Sequence, residues 1–258
     1  MALSTFSKFY YGHIVTESNR FINFNEGSGE LIAEITPGFY SLTEFASEVK
    51  AAMDSVGTLT YNVSVNRSTG QLTISSTANF TLLFATGSQV GESAGPLMGF
   101  NAVDLAGDDT YTSQNRSGKE YKPQFILQSY VDKDDSEGLI DSTVNKSASG
   151  QVEVIRFGVE NFVEFNIRFI TNTLMDGLVI KNNPQGLEEA RDFMKYLITK
   201  GRFEFMADET DPNTYYTLQL EKSPEDQNGT KYKLKEQVTR GLPNIYETGI
   251  LICRVIGF

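Results

Sequence analysis

Hydrophobic positions along the chain mostly alternate with polar ones, which is typical of strands with one wet face, but two stretches have helical spacing instead. The first lies within residues 38–57, GFYSLTEFASEVKAAMDSVG. Ser41 and Glu44 have the spacing of a capping box, which predicts the start of a helix, and Gly57 predicts its end. Apolar residues at helical spacing predict one buried stripe on a helix over about 41–56: Phe45, Val49, Ala52, Met53 and Val56.

A second helix is predicted over about 184–200, within NNPQGLEEARDFMKYLITKG. Asn183 suits the N-cap position and Pro184 the first helical position, where the N–H that proline lacks would have no partner in the helix. Acidic residues come early and basic residues late, as the helix dipole favours: Glu188, Glu189, Lys195 and Lys200. The apolar residues predict one buried stripe before Gly201 ends the helix: Leu187, Ala190, Met194 and Leu197.

Short strands are predicted on both sides of each helix. After the first helix, apolar positions alternate around a turn-forming segment, NRSTG at 66–70, and predict a hairpin: Tyr61, Val63, Val65, Leu72 and Ile74. In the second half, alternation predicts a strand with one wet face, with these residues on its apolar face: Phe165, Ile167 and Phe169. The pattern predicts an α+β chain that is mostly β, with two antiparallel sheet or sandwich units, each packed with one amphipathic helix.

Two polar segments interrupt the alternation, at about 104–120 and 131–150, and both are rich in Asp, Gly, Ser and Thr. They predict long loops, the second of them either a mobile loop or an arm that becomes ordered on a partner. The predicted organisation has four parts: an N-terminal segment at 1–20, a small α+β module at 21–103, a linker and arm at 104–150, and a β-sandwich with one helix at 151–258. The β-sandwich is expected to be continuous with residues 1–20 and 121–131.

Charge and hydropathy argue against a nucleic-acid-binding protein and against a membrane protein. The chain has 258 residues and a formal net charge of −11, which argues against attraction to a nucleic-acid backbone and suits a wall that DNA passes without binding. No window approaches 18 apolar residues, and the opening sequence, MALSTFSKFYYGHIV, lacks the apolar run of a signal peptide. The expectation is a protein made and folded in a cytoplasm, without a membrane partner.

The residues available for chemistry are few. His13 is the one histidine, so a nucleophile-and-base site would have to use it, and it is interpreted as a packing or interface residue. Cys253 is the one cysteine, lies in the apolar run GILICRVIGF, and is interpreted as a small buried hydrophobe. One histidine and one cysteine cannot supply the usual ligands of a zinc site.

Other site patterns are incomplete. The segment DKDDSEGLIDST begins like a calcium-binding EF-hand loop at Asp132, but Gly138 falls at position seven rather than six and no glutamate follows at position twelve. No phosphate-binding glycine pattern follows a predicted strand, and the chain has no tryptophan for a sugar platform, although a distant pair of carboxylates remains open. The sequence therefore predicts a protein that is not an enzyme, with no catalytic, cofactor-binding or metal-binding residues.

Two stretches resemble virion proteins of tailed bacteriophages. The first, ITPGFYSLTEFASEVKAAMDSVGTLTYNVSVNRSTGQLTISS, has the order G-x-Y, serine, amphipathic helix, Y-x-V and hairpin, and ends on an LGF-like segment, here LMGF at 97–100. The second half is similar in plan to phage distal tail and tail-tube proteins, which place a helix between strands and follow it with a characteristic turn into a strand, here marked by Asp211, Pro212, Tyr215 and Tyr216.

This resemblance implies a non-enzymatic component of the tail or baseplate. Such proteins form homo-oligomeric rings, commonly sixfold, around a channel for DNA, and contact other virion tail proteins. The capped-helix module comes first, where tube-forming strands normally stand, so it would be an insertion or an appended domain. Two alternatives remain: a head decoration, collar or head–tail connector protein, and a carbohydrate-binding or receptor-binding module.

Overall fold

The computed structural model describes residues 7–123, 131–139, 142–146, 152–156, 159–168, 170–171, 186–206, 208, 210–236 and 245–257. The described part is mostly β, with antiparallel sheets and few helices, as the alternating pattern predicts. By contacts the chain divides into two compact units. The N-terminal unit comprises Thr5–Lys122 and Gly201–Tyr215, and the C-terminal unit comprises Met1–Ser4, Pro123–Lys200 and Tyr216–Phe258.

The N-terminal unit contains ten strands and two α-helices among its described residues. The strands are β1 Lys8–Tyr11, β2 His13–Val15, β3 Phe21–Asn25, β4 Glu30–Glu34, β5 Gly38–Tyr40, β6 Tyr61–Asn66, β7 Gln71–Leu82, β8 Leu105–Thr112, β9 Lys119–Tyr121 and β14 Arg202–Met206. The helices are α1 Leu42–Val56 and α2 Gly95–Met98, with a 3-10 turn at Val90–Glu92. Within this unit the largest sheet has the order β4-β3-β7-β6, with β8 paired to β7. Strand β1 pairs with β9 and β14, and strand β2 pairs with β5.

Helix α1 begins with the predicted capping box. The Ser41 hydroxyl accepts from the Glu44 N–H at 3.2 Å, and the Glu44 carboxylate accepts from the Ser41 N–H at 2.9 Å. The predicted stripe is buried except at its end: Val56 is 40% exposed because it occupies the last helical position, where the chain turns away through exposed Thr58. Gly57 has extended backbone, and a Cβ there would lie 2.5 Å from a Glu26 carboxylate oxygen, so a larger residue would have to displace that carboxylate.

The hairpin after α1 is confirmed, since β6 and β7 pair from Tyr61↔Ser76 to Asn66↔Gln71 around the predicted turn. The loop predicted at 104–120 is wrong in part, because β8 pairs with β7 and β9 pairs with β1 there. Most residues of β8 are exposed, so the strand lacks the apolar alternation that would have revealed it.

The C-terminal unit contains the remaining described elements. The strands are β10 Val131–Leu139, β11 Ser142–Lys146, β12 Val152–Arg156, β13 Val159–Ile167, β15 Tyr216–Lys222, β16 Lys235–Glu236, β17 Tyr246–Glu247 and β18 Ile250–Gly257, and the helix is α3 Leu187–Ile198. Within this unit the strand order is β10-β13-β18-β15. The loop predicted at 131–150 is therefore wrong over β10 and β11, whose polar sequences do not alternate like strands with a buried face.

Helix α3 begins at Leu187, with the Gly186 N–H donating to Glu189 Oε2 at 2.9 Å. The predicted cap, Asn183 with Pro184, lies outside the described residues. The predicted stripe is confirmed as buried, and the buried set also includes Phe193 and Tyr196. The helix ends at Ile198, two residues earlier than predicted, because Lys200 adopts a left-handed conformation with φ of 62°.

The chain returns to the N-terminal unit after this helix. Strand β14, Arg202–Met206, pairs with β1, and by contacts the segment Gly201–Tyr215 belongs to that unit. The sequence-based division into 21–103 and 151–258 did not anticipate this pairing. No helix among the described residues has both the length and the apolar character needed to cross a membrane.

Candidate functional site

His13 lies on β2 and is fully buried. Its Nε2 is 3.1 Å from the hydroxyl of Ser117, which in turn donates to the carbonyl of Leu97 at 3.0 Å. Because the serine proton is used on Leu97, the histidine Nε2–H is the donor to Ser117. Burial lowers the pKa of His13 to about 4, so the ring is neutral at pH 7.

The His13–Ser117 pair has the residue types of a nucleophile and its base, but not their arrangement. Ser117 is fully buried, and its hydroxyl donates to a carbonyl rather than to the histidine. The ring of His13 lies 5.1 Å from that of Phe45 on α1. The His13–Ser117 pair therefore contributes to the packing of the N-terminal unit.

Cys253 lies on β18 and is fully buried, as its apolar surroundings in the sequence predict. Burial raises the pKa of its thiol well above the ordinary value, so the reactive thiolate is suppressed.

The acidic segments that could suggest a calcium site lie in turns and strands. Asp104 accepts from the Thr86 hydroxyl and from the backbone N–H groups of Ala85 and Thr86, and these bonds hold its pKa below the ordinary value. Asp211 accepts from Asn213 in a local turn, and the calcium-like segment at Asp132 lies in β10. Within the described residues, no group of three or more His, Cys, Asp or Glu side chains is placed to hold a metal ion.

A long two-stranded ribbon is the most prominent candidate for an assembly surface. Strands β10 and β13 pair from Val131↔Ile167 to Leu139↔Val159, and β11 and β12 pair from Ser142↔Arg156 to Lys146↔Val152. The two pairings share one register, with the β11–β12 pairs following the Leu139↔Val159 end of β10–β13. We call the paired strands β10, β11, β12 and β13 the ribbon.

Only the base of the ribbon has a third strand among the described residues of this unit. Strand β18 pairs with β13 over Phe162–Asn166 alone. Among the described strands, β11–β12 forms a sheet of two strands, and β10 pairs with β13 alone. An isolated two-stranded ribbon is marginally stable in water, because its edges present unpaired backbone groups and it lacks a packed face.

Two other edges in the described part, those of β8 and β4, carry features that disfavour pairing with a further strand. Strand β8 has irregular pairing with β7 and carries Asp108 and Asp109 on exposed positions. Strand β4 carries exposed Glu30 and Glu34 at its two ends. Irregular pairing and charge are devices that prevent edge pairing. By contrast, β11 (STVNK) has a regular register and one charged residue, so it is suited to accept another strand.

Sequence reasoning predicted a strand within β13 but missed β10, β11 and β12, although a signal for β12 was present. The segment QVEVIR alternates polar and apolar residues as a strand does, and it follows the small residues SASG, which favour a turn. The register places Val144 opposite Val154 and Thr143 opposite Ile155.

Two of the segments that carry the phage resemblance, LMGF at 97–100 and the residues at 211–215, lie in the N-terminal unit. Met98 ends α2, Gly99 has φ of 86°, and Phe100 is buried with its ring 5.1 Å from that of Phe84. Tyr215 stacks beneath Arg67, whose guanidinium carbon lies 3.6 Å from the ring centre. Neither a known protein-family model nor a curated protein gives a significant match to this sequence.

Proposed function

We propose that this protein is a structural component of a tailed bacteriophage virion, assembling into a ring of the tail or baseplate around the DNA channel. The observation that carries the proposal is the ribbon, because a two-stranded pair is marginally stable alone and, among the described residues, only its base has a third strand, so a strand from another chain would stabilise it. The occupant is a second copy of this chain, as a closed ring requires.

Two further features support a structural role. The one histidine and the one cysteine are both buried, which leaves the usual nucleophile-and-base residues inside the packing. The net charge of −11 suits a channel wall, since a surplus of carboxylates repels DNA phosphates. The sixfold symmetry and the position within the tail come from the resemblance alone.

The test is a variant in which residues 140–158 are replaced by Asn-Gly, a two-residue hairpin turn. Leu139 and Val159 are direct cross-strand partners, so this turn closes the shortened hairpin and keeps the pairing of β13 with β18. We expect the wild-type chain to form rings in negative-stain images and light scattering. The shortened chain should remain monomeric and folded, without the rise of melting temperature with protein concentration that assembly gives the wild type.

The matched control is Asp109→Asn on the blunted edge of β8, which should assemble like the wild type. A wild-type chain that stays monomeric at its highest soluble concentration contradicts the proposal. So does a shortened variant that still forms rings.

A further inference from the structure

The chain passes between two parts of the N-terminal unit at two glycines, Gly12 and Gly118. We call residues 13–117 the helix module, and strands β1, β9 and β14 the strand group. Gly12 connects β1 to the module with φ of 86°, and Gly118 connects the module to β9 with φ of 62°. The two connections lie side by side, because Tyr11 pairs with Lys119.

The two connections at Gly12 and Gly118 have the properties of a hinge. A Cβ on Gly118 would lie 2.6 Å from His13 Nε2, so both its backbone angle and its space require glycine. His13 and Ser117 are the module residues next to the two glycines, and their hydrogen bond joins the connections on the module side. Hinges are commonly a few residues at element ends that absorb backbone rotation.

The helix module has its own core. Every buried residue of the main apolar cluster belongs to the module, between Val15 and Tyr111. A smaller cluster joins the module to the strand group and has three buried members: Tyr10, Leu42 and Met206. Separation of the two parts would therefore leave the main core intact.

Buried charges supply most of the described contacts that close the joint. Glu204 of β14 is fully buried, and its carboxylate accepts from the Thr43 N–H at 2.7 Å, from the Thr43 hydroxyl, and from Arg67 Nε at 3.1 Å. Thr43 lies in the first turn of α1, so Glu204 also faces the positive end of the helix dipole. Arg67 lies in the turn between β6 and β7 and stacks on Tyr215.

Apart from the Arg116–Glu120 pair next to Gly118, at 3.1 Å, three more polar contacts cross the same joint. Arg202 of β14 pairs with Glu44 of the capping box. Lys8 of β1 is buried, and its ammonium group donates to the Ser68 carbonyl at 3.0 Å. The Tyr10 hydroxyl donates to the Arg67 carbonyl at 2.5 Å. All these contacts join one end of the module, at the start of α1 and the turn at 66–70, to the strand group.

We propose that the helix module is a hinged body that opens from the strand group about Gly12 and Gly118, with the Glu204–Thr43–Arg67 contacts as its latch. A buried ion pair gains little over apolar packing because its charges lose hydration, and opening restores that hydration. The apolar core of the module stays buried in the open state, so this opening costs less than global unfolding. The hinge and its latch do not depend on ring assembly.

Native-state hydrogen exchange on the full wild-type chain tests the hinge. The Thr43 amide donates to Glu204, whereas the Leu83 amide donates to Asn23 inside the module. We expect Thr43 to exchange at least about tenfold faster than Leu83, through an opening with a smaller denaturant dependence. The Glu44 amide, which donates to Ser41, is the control for simple fraying of the helix end and should remain protected. Equal exchange of Thr43 and Leu83 overturns the proposal, and so does equal exchange of Thr43 and Glu44.

The variant Glu204→Gln keeps an acceptor for Thr43 but removes the ion pair with Arg67. We expect faster exchange at Thr43, by about tenfold or more, with no change at Leu83. Glu188→Gln is the matched control, because it removes an exposed pair with Arg191 in the C-terminal unit. If Glu204→Gln does not fold, Tyr215→Leu weakens the latch by removing only the stacking on Arg67. Acceleration of Thr43 and Leu83 by the same factor in either variant overturns the proposal.

Discussion

At the scale of single residues, this protein pairs several buried polar groups with partners far away in the sequence. His13 bonds Ser117, and Glu204 bonds Thr43, 161 positions away. A buried polar group without a partner costs free energy, so each bond constrains both segments that it joins. None of these pairs has a local sequence pattern, which is why sequence reasoning identified His13 as a packing candidate but not its partner.

Burial of His13 makes stability depend on pH. The pKa in the folded protein is about 4, below the ordinary value of 6.5, so the unfolded chain binds the proton more readily. Stability from this group is complete above pH 6.5, falls as the pH decreases, and is fully lost near pH 4. The loss amounts to about 3 kcal/mol over that window.

Urea unfolding at a series of pH values measures this effect. The variant His13→Gln retains a donor for Ser117 and does not titrate, so its stability should stay flat from pH 6.5 towards 5 while that of the wild type falls. The difference isolates His13, because it is the one histidine of the chain. Parallel curves for the two proteins would show that the histidine is accessible to protons in the folded state.

At the scale of elements, helices were easier to predict than edge strands. The stripe and capping box of α1 are local patterns, and both are present in the structure. Strand β8 and the strands β10 and β11 have polar sequences, and they form because another strand supplies hydrogen bonds to their backbones. Such strands have no apolar period to detect, so their positions depend on tertiary pairing.

Helix α3 allows a test of its buried face. Met194 is 1% exposed, so Met194→Asp buries an unpaired charge and should destabilise the C-terminal unit by about 3–5 kcal/mol. Thermal unfolding followed by circular dichroism measures the loss. Met194→Leu should cost under about 1.5 kcal/mol, since it conserves volume, and Lys195→Gln on the exposed neighbour should cost little. Melting of Met194→Asp near the wild-type temperature would place the stripe on the wrong face.

At the scale of the whole molecule, charge and open edges give complementary information about partners. The chain has 33 acidic and 22 basic residues, and this excess of negative charge disfavours binding to nucleic acid. The ribbon favours pairing with a strand of another polypeptide. These two properties agree with a wall of protein subunits around a passage for DNA, which is the proposed function.

The charge balance predicts that the protein does not bind duplex DNA. Fluorescence anisotropy with a labelled duplex should show no change at about 0.15 M salt, because few counterions would be released on contact. The same result is expected at low salt, where any local basic patch would act more strongly. Binding that weakens steeply with added salt would reveal such a patch and contradict the role as a passive wall.

Local sequence patterns were enough to predict the β-rich class, the two helices with their buried faces, the β6–β7 hairpin and the buried state of Cys253. These features depend on local periodicity, capping and turn chemistry, which a short segment carries alone. Tertiary structure decided the extent of the ribbon, the return of β14 to the N-terminal unit, and the partners of His13 and Glu204. Backbone pairing and buried charge contacts join residues far apart in the chain, so only the folded arrangement specifies them.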